Sequence, residues 1–165
     1  MTTRKVLLIG LGAFALMAVT AIVAIILFIA HVSEDVKGVA INIKSPTEVV
    51  VGEEFDLEIS VKNERKGEAF ELSDIDIAEV YLDGFIVGFI KPTPKSNMHV
   101  PIDKSRSFSF DHDIPADSSQ TFVFKLRAEK EGIFRGDVDV CEGTRFITNM
   151  AQTAVIAKPL GKPGK

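Results

Sequence analysis

Gly10, Gly12 and Ala15 follow the apolar run KVLLI with G-x-G-x-x-A spacing. In a dinucleotide-binding turn, that spacing lets backbone N–H groups approach a pyrophosphate at a helix N-terminus. The context excludes this chemistry. The helix that should follow reads AFALMAVTAIVAIILFIA. It is apolar on every face, whereas a helix packed on one side of a soluble sheet keeps a polar stripe. Glu34 and Asp35 lie near the distance at which an acid would hold a ribose, but no second strand ends there. No dinucleotide is expected.

Other constellations fare no better. A copper site needs Cys, His and Met closely spaced; Cys141 has Met150 downstream but no later histidine, and Met98, His99 and His112 all lie upstream. Hard oxygen ligands for calcium could come from Asp111 and Asp113, or from Asp137, Asp139 and Glu142. Alternating acids on a strand, however, ordinarily form its wet face, and no EF-hand spacing is present. Asp74 and Asp76 are read in the same way, as a pair pointing into water. With three histidines and no G-x-S-x-G elbow there is little material for a general base or a nucleophile. Cys141 is the sole cysteine, which excludes an intrachain disulfide and suggests a buried thiol. The sequence therefore indicates no catalytic residue, no cofactor and no metal.

What remains is a surface. YLDGFIVGFIKPTP holds Tyr81, Phe85, Ile86, Val87, Phe89 and Ile90 with almost no alternation. A half-exposed strand should not be apolar on both sides. Either this is a central strand covered by the loop that follows, or it is an exposed apolar patch awaiting a partner. Tyr81, Phe85, Ile86, Phe89 and Lys91 are the candidate partner-binding residues. Residues 91–107, with Pro92, Pro94 and Pro101, read as a long loop beside them.

Two kinds of element must carry these residues. Residues 6–30 contain no charge, and about 20 apolar residues cross a bilayer as a helix. The run exceeds a signal-peptide core of roughly 7–15 residues and lacks a small-x-small cleavage site, so an uncleaved anchor over 6–31 is expected. Thr20 can bond the carbonyl one turn back. Arg4 and Lys5 precede the run, and Glu34 and Asp35 follow it. By the positive-inside tendency the N-terminus is cytoplasmic and the rest is periplasmic or extracellular. Setting aside Arg4, Lys5, Lys158, Lys162 and Lys165 leaves 14 basic and 23 acidic residues, a net of −9. That balance excludes nucleic acid as a partner.

Past the anchor the period is two. Phe55, Leu57, Ile59 and Val61 alternate with Asp56, Glu58, Ser60 and Lys62. Ile75 and Ile77 alternate with Asp74 and Asp76. Phe122, Phe124, Leu126 and Ala128 share a face, and Phe134, Val138 and Val140 are expected core residues. Asp83-Gly84 suggests a tight turn that makes 78–82 and 85–90 a hairpin. Seven to nine short strands with turns every 8–12 residues and no convincing helix predict an all-β fold, an immunoglobulin-like antiparallel β-sandwich preceded by a single transmembrane α-helix. The expected organisation is a cytoplasmic N-terminus (1–5), anchor (6–31), sandwich (32–157) and basic disordered tail (158–165).

VVVGEEFDLEISVKN resembles the opening strands of the immunoglobulin-like modules of bacterial and archaeal surface proteins, the CARDB type among them. IPADSSQTFVFKLRAEKEGIFRGDVDV is similar to their last third, where a Phe-rich strand precedes a G-x-F/Y-x-G strand. The resemblance implies an extracytoplasmic binding or spacer module and supplies no catalytic residue. The function expected is a non-enzymatic accessory subunit held to the lipid bilayer through 6–31 and docked to an integral membrane protein. A tethered ligand- or metal-binding protein, or an adhesion module, is the alternative.

Overall fold

The computed structural model describes residues 14, 16–27 and 36–158. The chain divides into two units, Met1–Glu34 and Asp35–Lys165. In the first, residues 16–27 are helical, and the Thr20 hydroxyl donates to the Leu16 carbonyl at 2.6 Å, one turn back. Among the described residues no helix is long and apolar enough to cross a membrane. Much of the expected anchor over 6–31, and the tail beyond Lys158, lie outside the described residues.

The second unit is a two-sheet sandwich of ten strands: β1 (Val39–Lys44), β2 (Glu48–Val50), β3 (Glu54–Asn63), β4 (Phe70–Ala78), β5 (Phe85–Lys91), β6 (Ser96–Val100), β7 (Ser105–Ile114), β8 (Ser119–Ala128), β9 (Gly132–Glu142) and β10 (Arg145–Ile156). The smaller sheet has the order β1-β3-β8-β5 and the larger β2-β10-β9-β4-β7-β6. All pairings are antiparallel except β2 with β10.

Strict alternation explains the central strands. On β3, Phe55, Leu57, Ile59 and Val61 are buried, and register sets Leu57 opposite Phe124 and Ile59 opposite Phe122 of β8. Leu72, Ile75 and Ile77 of β4 face them from the other sheet, with Phe108, Phe110, Val138 and Val140. The sheets lock through edge-to-face aromatic pairs. Phe108 meets Phe124 at 5.0 Å and Phe110 meets Phe122 at 4.7 Å, the geometry that ring quadrupoles favour. The buried Asn63 side chain is fully paired. Asn63 Nδ2 donates to the Glu68 and Ile114 carbonyls, both at 2.9 Å, and its Oδ1 accepts the Arg65 N–H at 3.0 Å.

Two expectations are corrected here. Residues 78–82 and 85–90 do not form a hairpin: β4 and β5 belong to different sheets, joined by a one-turn helix, Glu79–Leu82. Tyr81 and Leu82 are adjacent and both buried, and in a helical turn both can pack inward, whereas neighbours on a strand point to opposite faces. Residues 91–107 are not one long loop, since β6 and the start of β7 lie within them. Strand β6 is almost wholly exposed and the buried positions at the start of β7 carry Ser105 and Ser107, so no apolar periodicity marked them.

Register also fixes the ends of the sandwich. The chain enters beside the Asn63 end of β3, because Val39 pairs with Asn63. The opposite end gathers the one-turn helix, the 101–104 turn and the last residues of β10. There Glu79 N–H donates to the Lys104 carbonyl at 2.8 Å.

Candidate interaction edge and cleft

Among the described residues strand β5 is an edge strand, hydrogen-bonded to β8 on one side only. It is therefore not the central, loop-covered strand that was one reading of its composition. Its burial reads inward, outward, inward over residues 85–87 and then breaks. Val87 pairs with Leu126 and Ile90 with Phe124, so Gly88 and Phe89 together oppose Lys125. This is a β-bulge, an extra residue that bends a strand and re-aims a side chain. A Cβ at Gly88 would lie 3.1 Å from the Lys125 carbonyl oxygen, close enough to favour glycine there. The bulge turns Phe89 outward, with its ring centroid 5.9 Å from Lys125 Nζ.

The five predicted contact residues separate into two groups. Tyr81 is fully buried, its hydroxyl 3.2 Å from both Ser45 Oγ and Thr153 Oγ1. Phe85 is 7% exposed and touches the rings of Phe55, Tyr81 and Phe134 at 5.1–5.2 Å. Both belong to the core and not to a surface. Ile86 is 45% exposed and Phe89 62% exposed, and Lys91 is exposed without an ion pair among the described residues.

Beside this edge the two sheets part. A cleft of about 240 Å³ opens there, lined by Glu79, Leu82, Asp83, Phe85, Val87 and Arg106. Leu82, Phe85 and Val87 supply apolar walls. Arg106 Nε and Nη2 donate to Asn97 Oδ1 at 3.3 and 2.9 Å, and the Glu79 carboxylate meets His99 Nδ1. Sequence reading missed Glu79, Asp83 and Arg106. The available signal was the i, i+4 spacing of the two acids around a buried pair, which is the spacing of one helical turn.

The acids expected to face water are partly covered. On the outer face of the larger sheet, Asp76 opposes Asp139 and Asp74 opposes Cys141. Ser109 Oγ donates to Asp74 Oδ1, and Thr148 Oγ1 to Asp139 Oδ1, both at 2.5 Å. Burial pushes the Asp76 and Asp139 carboxyls above the usual aspartate value, and nearby carboxylates add to the shift. The buried Cys141 thiol lies 3.8 Å from Asp76 Oδ2. Burial, then the charges of Asp76 and Asp139, drives its pKa far upward and keeps it protonated. Asp111 is exposed on β7 and pairs with Lys95 at 3.1 Å. Register sets Met150 opposite Asp137, away from Cys141. Among the described residues no group of three or more His, Cys, Asp or Glu side chains is arranged to hold a metal ion.

At the level of fold, the sandwich resembles a CARDB domain. The crystal structure of the CARDB domain of the PF1109 protein from Pyrococcus furiosus, in complex with di-metal ions, is 16% identical. The match covers 73% of this chain and 94% of that one, with a TM-score of 0.46. The solution structure of the same domain is 14% identical, covering 74% and 98%, with a TM-score of 0.46. AvmM, which catalyses macrocyclization in alchivemycin A biosynthesis, is 8% identical, covering 79% and 98%, with a TM-score of 0.47. No protein-family model and no curated protein matches the sequence.

Proposed function

We propose that this chain is a non-enzymatic interaction module, held to a membrane by residues 6–31 and docking to an integral membrane protein as an accessory subunit. The observation that carries the reading is the β5 edge. Among the described residues its backbone is unpaired on one side, and Ile86 and Phe89 stand out from it. Large exposed apolar side chains on an open strand edge are an aggregation hazard unless a partner covers them. The uncharged run over 6–30, with Arg4 and Lys5 before it and acids after it, supports the anchor and an extracytoplasmic sandwich. A non-enzymatic role is supported by the chemistry of the groups present. Cys141 is kept protonated by burial, His99 is occupied with Glu79, and His112 sits edge-on to Phe122 at 6.2 Å.

The test is recovery of the full-length chain from native membranes in mild detergent, alongside a Phe89→Asp variant. Stoichiometric recovery with an integral membrane protein, lost in the variant, is the expected result. A chain recovered alone, or a partner retained equally by the variant, overturns the proposal.

A further inference from the structure

We propose that the cleft beside β5 seats a basic side chain of an extended partner segment, which adds to the free β5 edge as a fifth strand of the smaller sheet. The inference deepens the reading of β5 as a contact surface and rests on it.

Three observations carry it. First, the open edge can accept main-chain hydrogen bonds, as in β-strand addition, where the backbone supplies affinity and side-chain pockets supply specificity. Pairing is regular only over residues 85–87, because the bulge at Gly88 and Phe89 interrupts it. An added strand therefore registers against those residues, of which Phe85 and Val87 also line the cleft. Second, alternate side chains of an added strand point to the inner side of the sheet, where this cleft lies. Its walls of Leu82, Phe85 and Val87 suit the aliphatic stem of a lysine or arginine, and about 240 Å³ accommodates one long side chain and not a folded element.

Third, the charge is complementary to a cation. Glu79 and Asp83 both line the cleft against the single cation Arg106. Asp83 has no hydrogen-bond or ion-pair partner for its carboxylate among the described residues, and Arg106 is occupied with Asn97 rather than with either acid. Glu79 is already bonded to His99, so a basic group entering beside it meets the exposed, unpartnered Asp83 carboxylate. Such pairing chiefly supplies selectivity.

The experiment uses the full-length chain in detergent and fluorescein-labelled heptapeptides that alternate valine and threonine around a central Lys, Gln or Glu. The Lys peptide is expected to bind about fivefold more tightly than the Gln peptide, the span of one partly exposed ion pair, and the Glu peptide more weakly still. Asp83→Asn should erase the Lys preference. Arg106→Gln, which removes the competing cation, should enlarge it. A preference for Glu, no charge preference, or a Lys preference that survives Asp83→Asn overturns the assignment. Recovery of the membrane partner separates the two levels of the argument. If Phe89→Asp abolishes recovery while Asp83→Asn leaves both recovery and peptide preference intact, the cleft assignment fails and the β5 contact stands. If Phe89→Asp leaves recovery intact, the contact reading fails and takes the cleft with it.

Discussion

Asp76 and Asp139 face each other across β4 and β9, and like charges directly opposite on a sheet destabilise it. Burial is the largest cause of the upward shift in both, and each feels other carboxylates nearby. A carboxyl whose folded pKa is raised binds its proton more tightly in the folded state. Its contribution is then most favourable in acid and is lost as pH rises from the ordinary value through the raised one. Asp76→Asn and Asp139→Asn remove the charge, and the latter keeps an acceptor for the Thr148 hydroxyl. Both variants are expected to melt above the parent at neutral pH, with the difference shrinking as the pH falls toward the ordinary aspartate range. Thermal melts across that range check this, and a difference independent of pH would contradict it. Glu142 behaves in the opposite sense. Arg65 grips it through two bonds, Nη1 to Oε1 at 2.6 Å and Nη2 to Oε2 at 2.9 Å, with side chains only 13% and 11% exposed. Hydrogen bonding to Arg65 holds its carboxyl below the ordinary value. That stability is present above the ordinary glutamate value and fades as pH falls through the lowered one. Arg65→Ala leaves Arg145 as the one cation on the Glu142 carboxylate, Nη2 to Oε2 at 2.6 Å, and frees the Lys37 carbonyl. It should cost about 2 kcal/mol in urea unfolding, and Arg65→Lys, unable to make the paired contact, should recover only part of it.

At the scale of elements, β5 separates stability from binding. Phe85→Ala empties a site shared with three aromatic rings and should cost about 3–5 kcal/mol. Phe89→Ala should stay within about 0.5 kcal/mol of the parent and still weaken partner recovery. Denaturant midpoints for both, read beside co-purification, distinguish core from surface along one strand. Sequence could not make that distinction because the apolar run FIVGFI has no period. An inward residue, an outward one and a two-residue bulge follow in quick succession. Strands β3 and β8 were legible for the opposite reason: one face of each is wet, so polar residues mark every second position. The one-turn helix was hidden by its brevity, and Asp83-Gly84 mimicked a hairpin turn. Strand β6 and the start of β7 were hidden because small and polar residues occupy both faces there. Ser105 and Ser107 are nevertheless buried, a consequence of neighbouring strands that no local pattern encodes.

For the whole molecule, the question is whether the sandwich depends on the segment before it. The division falls at Glu34 and Asp35, and the core cluster begins at Val36. Both sheets draw all their strands from residues 39–156. A stretch of this length buries enough surface to fold alone, and its 21 acidic against 13 basic residues, a net of −8 over residues 39–156, favour solubility. The all-β fold was legible in sequence because this core is built from alternation, whereas the proposed anchor rests on the uncharged run over 6–30 alone. A chain beginning at Asp35 is therefore expected to melt within about 2 °C of the full-length protein in the same detergent. It should also leave the membrane fraction, while the full-length chain resists extraction by alkaline carbonate. A large drop in melting temperature would mean that the core borrows from the first 34 residues. A full-length chain released by carbonate would remove the anchor, and with it the reason to seek the β5 partner within a membrane.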